Sequence, residues 1–153
     1  MSKSGAKGGG KTVFLGEFNH TVDNKGRVFV PACYRDQLVG KFYVSRTEDK
    51  CVKIYSKPEW EKFCERFEKI EGEKNTVSSR FIFRYSFEVE LDSSGRLLIP
   101  EKLRDHAEIK KDVVIIGRNN LAEIWDSELF KQYEENENKA QIMRYIDDAG
   151  IPT

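Results

Sequence analysis

A long internal repeat restricts the fold of this chain more than any other feature. Residues 22–31 align without gaps with residues 91–100, each position lying 69 residues before its match. Self-similarity at a fixed offset indicates that one supersecondary unit occurs twice. An Asp, a Gly, an Arg and a Pro recur, while the residues between them differ. The matched pairs are Phe18 and Phe87, Asp23 and Asp92, Gly26 and Gly95, Arg27 and Arg96, Pro31 and Pro100, and Arg35 and Arg104.

Both halves show the same order of secondary-structure signals. In the first half, apolar and polar residues alternate over 18–22 and resume over 28–30, which predicts strands on either side of a turn. Pro31 suits a first helical position, so a short helix through Leu38 is expected, followed by a strand at 41–44. The second half predicts strands at 87–91, 97–99 and 113–116 and a short helix from Pro100 through Ala107.

Longer helices are predicted after each set of strands. Ser56 or Lys57, followed by Pro58, begins the first, and Asp126 caps its counterpart. The apolar residues of the first helix recur at helical spacing and are interpreted as core. These residues are Trp60, Phe63, Cys64, Phe67 and Ile70, and the second helix carries Leu129, Phe130 and Tyr133.

The sequence leaves the secondary structure of two segments undecided. Asn75 or Thr76 could cap a helix, although residues 80–83 also suit a strand, and the helix is favoured. Residues 142–146 fit an amphipathic last helix or a packing tail. The chain is therefore expected to be an α+β unit of two pseudo-symmetric halves. The expected divisions are a flexible Gly- and Lys-rich extension (1–13), a first repeat (14–73), a second repeat with its linking helix (74–133) and a polar C-terminal tail or helix (134–153).

Composition excludes several classes of protein. Hydrophobic residues at 39% and aromatic residues at 12% suit a globular chain, and no apolar run approaches the ~18 residues of a membrane span. The three cysteines have no Cys-x-x-Cys spacing, so neither a disulfide framework nor a zinc site is indicated and a reducing compartment is expected. The formal net charge of zero lacks the basic signature of many nucleic-acid binders. Charge is segregated, however, with basic residues before residue 28 and an acidic stretch over 123–148.

The repeated Asp-x-x-Gly-Arg motif has a chemical interpretation. Asp can accept hydrogen bonds from backbone N–H groups inside a turn, and Gly supplies the positive φ that closes it. Arg then leaves the turn and can donate two hydrogen bonds to a phosphate or to the O6 and N7 edge of guanine. A purely structural alternative is that Arg pairs with Asp across a tight hairpin. Two copies favour the binding interpretation, because weak contacts gain strength when several are presented in fixed geometry.

These motifs resemble the MraZ family of transcriptional regulators, whose fold is a duplicated relative of the AbrB-like swapped-hairpin β-barrel. The resemblance extends from Phe14 to about Tyr133. In the first half it depends on Gly16, the motif 23–27 and Pro31-x-x-x-Arg35; in the second it depends on 92–100, Leu103-Arg104, Ala107, Gly117 and 123–125.

The resemblance implies a ring-shaped homo-oligomer that binds short direct repeats in double-stranded promoter DNA ahead of the bacterial division and cell-wall gene cluster, mostly as a repressor. It implies a cytoplasmic, nucleoid-associated protein without cofactor, metal, membrane or small-molecule substrate. The DNA contacts carried over are Asp23, Lys25, Arg27, Asp92 and Arg96, with Gly26 and Gly95 as turn glycines. Arg35 and Arg104 either support these contacts or hold the short helices to the turns.

Three other functions are compatible with parts of the sequence. AbrB-like antitoxins use similar hairpins, but they usually carry one copy per chain. A metal-dependent hydrolase could use Glu88, Glu90 and Asp92, which alternate on one predicted strand, with His20 or His106 as a base. A solvated strand face is the simpler explanation of those carboxylates. A scaffold that only displays protein-binding surfaces is the third possibility.

Overall fold

The computed structural model describes residues 12–153. Residues 1–11 of the predicted extension lie outside this range. Thr12 and Val13 belong to the fold, because the Thr12 hydroxyl hydrogen-bonds that of Ser56 at 2.7 Å and the backbone of Val13 pairs with the side-chain amide of Gln37. The strands are β1 (Glu17–Thr21), β2 (Arg27–Phe29), β3 (Phe42–Ser45), β4 (Cys51–Tyr55), β5 (Phe87–Val89), β6 (Arg96–Leu98), β7 (Asp112–Gly117) and β8 (Ala122–Asp126). The helices are α1 (Ala32–Arg35), which continues into a 3-10 turn (Asp36–Leu38), α2 (Lys57–Phe67), α3 (Gly72–Phe83), α4 (Glu101–His106), α5 (Ser127–Glu135) and α6 (Lys139–Asp148).

The two halves exchange strands. Six strands form one antiparallel sheet in the order β1-β7-β8-β4-β3-β5. Thus β1 of the first half pairs with β7 of the second, and β5 of the second half pairs with β3 of the first. Replacing each strand by its repeat partner gives the same order read in reverse. A pseudo-twofold axis therefore passes between β4 and β8. The predicted α+β class with two pseudo-symmetric halves is confirmed.

A second, two-stranded sheet joins the halves at the repeated motif. Strands β2 and β6 pair antiparallel, with Val28 opposite Leu97. Both of these side chains are buried, together with Val30 and Ile99, which follow them. This β2–β6 ribbon therefore lays one face on the core and leaves the other exposed, as alternation along a strand requires.

The main core lies between the six-stranded sheet, the ribbon and the short helices. Tyr34 of α1 and Leu103 of α4 are fully buried there, beside Ile54 of β4 and Ile124 of β8. Pro31 and Pro100 are the N-cap residues of the two short helices. Each helix therefore begins one residue later than predicted.

The opposite face of the sheet is covered by α2 and α5. Ser56 caps α2 as predicted, and Trp60 packs on Tyr43 and Tyr55. Asp126 caps α5, and Phe130 packs on Trp125. The prediction that the apolar residues of α2 are core was wrong, because none of them is buried. The reason is that α2 has the sheet on one side only, so its aromatic residues are half-covered and pack on one another and on Phe83 of α3.

The two ambiguous segments are both helical. Helix α3 begins at Gly72, before the predicted cap, and the Asn75 side chain instead donates to the Phe67 carbonyl at 3.0 Å. Asn138 caps α6 by accepting from the Gln141 N–H at 3.0 Å.

A buried ion pair lies on the α2- and α5-covered face, at the pseudo-twofold axis. Lys53 and Glu123 are opposite each other in β4 and β8, and their side chains meet at 2.5 Å. Glu123 also accepts from Trp125 Nε1 at 2.8 Å and from Arg118 at 3.0 Å. Lys53 further donates to Asp49 at 3.1 Å. Asp49, Cys51 and Glu123 lie close enough to suggest a metal site, but the Lys53 ammonium already occupies the space between the two carboxylates.

Candidate nucleic-acid interface

Each Asp-x-x-Gly-Arg motif forms the predicted turn. Asp23 Oδ1 accepts from the backbone N–H groups of Lys25 and Arg27, both at 2.9 Å, while Oδ2 accepts from Arg27 Nε at 2.9 Å. The second turn repeats this geometry: Asp92 Oδ1 accepts from the Ser94 and Arg96 N–H groups and Oδ2 from Arg96 Nε, each at 2.9 Å.

Both turn glycines adopt the left-handed conformation that the sequence predicted. Their φ angles are +89° at Gly26 and +84° at Gly95. Residues with a Cβ atom rarely adopt such angles, and β-branched residues resist them most. The two turns are thus the same structure built from different intervening residues.

The pairing of Asp with Arg uses only one edge of each guanidinium. In both turns the carboxylate engages Nε, which fixes the direction of the side chain. Within residues 12–153 no hydrogen bond engages the terminal nitrogens of Arg27 or Arg96. A braced guanidinium of this kind can donate two hydrogen bonds to one planar acceptor. The structural and binding interpretations of the motif are therefore compatible, because the ion pair orients the arginine.

The ribbon brings the two turns side by side. The Val30 N–H donates to the Gly95 carbonyl at 3.1 Å, and the Ile99 N–H donates to the Gly26 carbonyl at 2.9 Å. One terminal nitrogen of Arg96 lies 4.0 Å from Asp23 Oδ2. The fold thereby gathers the predicted Asp23, Arg27, Asp92 and Arg96 into one surface, here called the twin-turn surface, with Lys25 exposed at the tip of the first turn.

Arg35 and Arg104 take a different part. Each donates through Nε to the carbonyl that precedes its own helix, Arg35 to Val30 at 2.9 Å and Arg104 to Ile99 at 3.0 Å. Each guanidinium also lies over the turn glycine of the other half. These contacts favour the second of the two roles expected for them, in which they hold the short helices to the turns.

Hydrogen bonding lowers the pKa of both turn carboxylates. The backbone N–H of Arg27, its guanidinium and the backbone N–H of Lys25 lower the pKa of Asp23 to about 2. Bonds from the backbone of Arg96 and Ser94 also lower the pKa of Asp92. Charged acceptors of this kind form stronger hydrogen bonds than neutral ones, so each arginine is oriented by an ionised partner at neutral pH.

Two exposed apolar side chains on the ribbon were missed by sequence reasoning. Phe29 is 46% exposed and Leu98 is 55% exposed. Phe29 pairs across the ribbon with Arg96, whose guanidinium carbon lies 5.7 Å from the centre of the Phe29 ring. Strict alternation along the strand carries the signal: if Val28 and Val30 point inward, Phe29 must point outward.

The residues proposed for a hydrolase do not converge. Glu88 binds the Tyr43 hydroxyl at 3.0 Å and Lys41 at 3.2 Å, and Asp92 is used by its turn. His106 contacts the Asp49 carbonyl at 2.8 Å. Over residues 12–153 the one group with the spacing of metal ligands is the Asp49, Cys51 and Glu123 cluster already paired with Lys53.

Within residues 12–153, no helix combines the length and apolarity that crossing a membrane requires.

Comparison with known proteins gives two matches to the model of the MraZ protein family, described as antitoxin-like, over residues 13–79 and 82–148. A protein named transcriptional regulator MraZ from Natranaerobius thermophilus is 41% identical over 125 residues, covering 80% of this chain and 87% of the relative. Proteins of the same name from Thermoanaerobacter sp. (strain X514) and Pediococcus pentosaceus are each 36% identical over 143 residues, covering 91% of this chain and all of the relative. The chain therefore belongs to the MraZ family of transcriptional regulators, a family that is not one of enzymes.

Proposed function

We propose that this chain is a sequence-specific DNA-binding regulator that contacts promoter DNA through the twin-turn surface. The observation that carries the proposal is the pair of arginines, Arg27 and Arg96, each braced by an ionised aspartate and held side by side on one exposed ribbon. A fixed guanidinium fork matches both a phosphate and the major-groove edge of guanine. The name of the relatives, transcriptional regulator, supports DNA as the ligand.

The DNA contacts proposed are Asp23, Lys25, Arg27, Asp92 and Arg96. The two aspartates act by orienting their arginines, and Lys25 adds a flexible positive charge at the tip of one turn. One arginine contact supplies only about 1–3 kcal/mol of base discrimination. The chain has no net positive charge to strengthen it. Affinity must therefore come from several copies acting together, and we propose a ring-shaped homo-oligomer that binds short direct repeats.

The biological setting follows from the resemblance to the family. The proposed targets are repeats ahead of the bacterial division and cell-wall gene cluster, and the proposed effect is repression. The protein would act in the cytoplasm, associated with the nucleoid.

The test is a mobility-shift titration against the chain's own upstream genomic DNA, with scrambled DNA of equal length as competitor. Arg27→Ala and Arg96→Ala should each weaken specific binding by about tenfold or more, and the double variant more strongly. Arg66→Ala, at the exposed end of α2, is the matched control and should bind as wild type. Wild-type affinity in the double variant would overturn the assignment of the twin-turn surface.

Salt dependence adds a second measurement on the same proteins. Binding that neutralises phosphates weakens linearly with the logarithm of salt concentration. The slope should become shallower in Lys25→Ala and should not change in Arg66→Ala.

A further inference from the structure

Each half of the chain ends in a pair of helices that follows the last strand of that half. Helix α2 lies over β3 and β4, and helix α5 lies over β7 and β8. Helices α2 and α5 are therefore on opposite sides of the pseudo-twofold axis. Helix α3 is the repeat counterpart of α6, but only α3 leads into another strand.

Helix α6 has an apolar face that this chain leaves open. Ile142 (37% exposed) and Tyr145 (64% exposed) are three residues apart on this face, and Met143 (42% exposed) lies to one side of it. Within residues 12–153 the side-chain hydrogen bonds of α6 stay inside the helix and its cap, as in Asn138 to Gln141 and Arg144 to Gln141. The helix thus resembles half of an interface.

The end of α6 is also electrostatically unfavourable in the isolated chain. Asp147 and Asp148 lie in its last turn, and that turn has no basic residue. A helix C-terminus carries partial negative charge, so carboxylates there are destabilising and cations nearby are stabilising. Residues 127–148 contain six acidic and three basic side chains. A basic partner would relieve this repulsion.

Helix α3 offers an exposed surface of complementary character. Val77 is 58% exposed and Phe81 is 38% exposed, and they are four residues apart on one face. Lys74, Arg80 and Arg84 flank them, against Glu73 alone on this helix and its C-cap.

The C-terminal end of α3 is rigidly held. The Arg46 guanidinium lies 4.1 Å from the centre of the Phe81 ring and 3.6 Å from that of Tyr85, and it donates to the Phe81 carbonyl at 3.1 Å. The exposed edge of Phe81 is consequently presented on a fixed platform, which reduces the entropy lost when a partner binds.

The spacing of apolar and charged residues corresponds in the two helices. Arg84 follows Phe81 by three residues, and Asp148 follows Tyr145 by three residues. If α6 of one copy packs parallel to α3 of another, their apolar side chains meet. The acidic C-terminal end of α6 then lies beside the basic C-terminal end of α3.

We infer that α6 of one copy docks on α3 of the next copy. This inference rests on the ring assembly of the proposed function and deepens it, because it names the interface. The contact is heterologous, since it joins two different surfaces of the same chain, and such contacts form rings when the rotation between copies closes. A second copy is favoured over another protein because the chain itself supplies both complementary faces.

Charge exchange between α3 and α6 tests the inference. Asp147→Lys/Asp148→Lys and Arg80→Glu/Arg84→Glu should each shift assembly to about tenfold higher protein concentration or more in sedimentation and light scattering, because like charges meet at the interface. The first variant removes the unfavourable carboxylates, so its monomer should be as stable as wild type or more stable. A merely structural role for the aspartates predicts unchanged assembly.

Mixing the two variants gives the decisive measurement. Copies that alternate around a ring place Glu-bearing α3 against Lys-bearing α6 and wild-type α3 against wild-type α6. The mixture should therefore assemble as wild type does, although neither variant does so alone. Failure of the mixture to assemble, or full assembly of each variant alone, would overturn the inference.

An apolar variant and its control complete the design. Tyr145→Asp should weaken assembly, whereas Val39→Asp, at a 79% exposed apolar residue far from both helices in sequence, should not. If wild type is a monomer at micromolar concentration, the inference and the ring both fail, and the DNA titration still reports separately on the twin-turn surface. If assembly follows these expectations but promoter DNA is not bound, the interface stands and the proposed function fails.

Discussion

The guanidinium of Arg104 lies over Gly26 so closely that a Cβ atom at this glycine would be 2.6 Å from Cζ of the arginine. Arg35 has the same relation to Gly95, at 2.8 Å. The helix of each half is thereby fixed to the turn of the other half. The exchange of strands and this crossing of arginines fix the two turns relative to each other, so a change at one turn affects the geometry of both.

Substitution of the turn glycines should damage folding for two separable reasons. Gly26→Val and Gly95→Val place a β-branched residue at positive φ and also displace the arginine above it. Backbone strain of this kind costs about 1–3 kcal/mol. Gly40 has a φ of +72° and open space around it, so Gly40→Val measures the strain alone. Urea unfolding at one protein concentration should give a larger loss for Gly26→Val than for Gly40→Val; equal losses would exclude a contribution from Arg104.

Asp23 should make the stability of the protein depend on acid. The pKa of Asp23 is 3.8 without the fold and about 2 within it, so the unfolded chain takes up a proton first as the pH falls. The stabilisation is complete above pH 3.8 and is lost as the pH falls toward 2. Urea midpoints of wild type and Asp23→Asn should therefore differ at pH 6 and converge near pH 2. A constant difference over this range would contradict the prediction, and Glu48→Gln in an exposed loop serves as the control.

The sequence was sufficient for the turns and the faces of the strands but not for their partners. The recurrence of Asp, Gly, Arg and Pro predicted both turns, and alternation placed Val28 and Leu97 inward. Because the two halves are alike, the same pattern would suit β1 paired with β3 of its own half or with β7 of the other. Local patterning specifies which face is buried, whereas partner choice depends on the packing of the whole core.

Local patterning also does not predict how completely an apolar side chain is buried. The spacing of Trp60, Phe63 and Phe67 shows that α2 has an apolar face, but not that a single sheet covers that face. The same alternation leaves Phe29 and Leu98 on the outer face, but it does not show how exposed they are. Periodicity measures amphipathicity, and burial depends on how many layers surround the element.

The buried pair of Lys53 and Glu123 should be coupled far more strongly than the surface pair of Lys41 and Glu88. Lys53→Met leaves the buried carboxylate of Glu123 without its ammonium partner, although Arg118 still donates to it, and should destabilise the protein by at most about 3–5 kcal/mol. Lys53→Met/Glu123→Gln removes both charges, keeps an acceptor for Trp125 Nε1, and should recover much of that loss. Lys41→Met is the exposed control and should change stability little. A double variant no more stable than Lys53→Met would show that the two charges are not coupled.

The exposed apolar residues of the ribbon should contribute more to DNA binding than to folding. Phe29 and Leu98 alternate with Arg27 and Arg96 on the outer face, and apolar side chains at such positions can contact the methyl group of thymine. Phe29→Ala and Leu98→Ala should each weaken specific binding by about threefold to tenfold, with at most a modest fall in melting temperature, since about half of each side chain is already exposed. Leu15→Ala, at a 65% exposed residue outside the ribbon, is the control. If the two ribbon variants lose thermal stability and keep wild-type affinity, these side chains belong to the packing of the ribbon and not to the DNA interface.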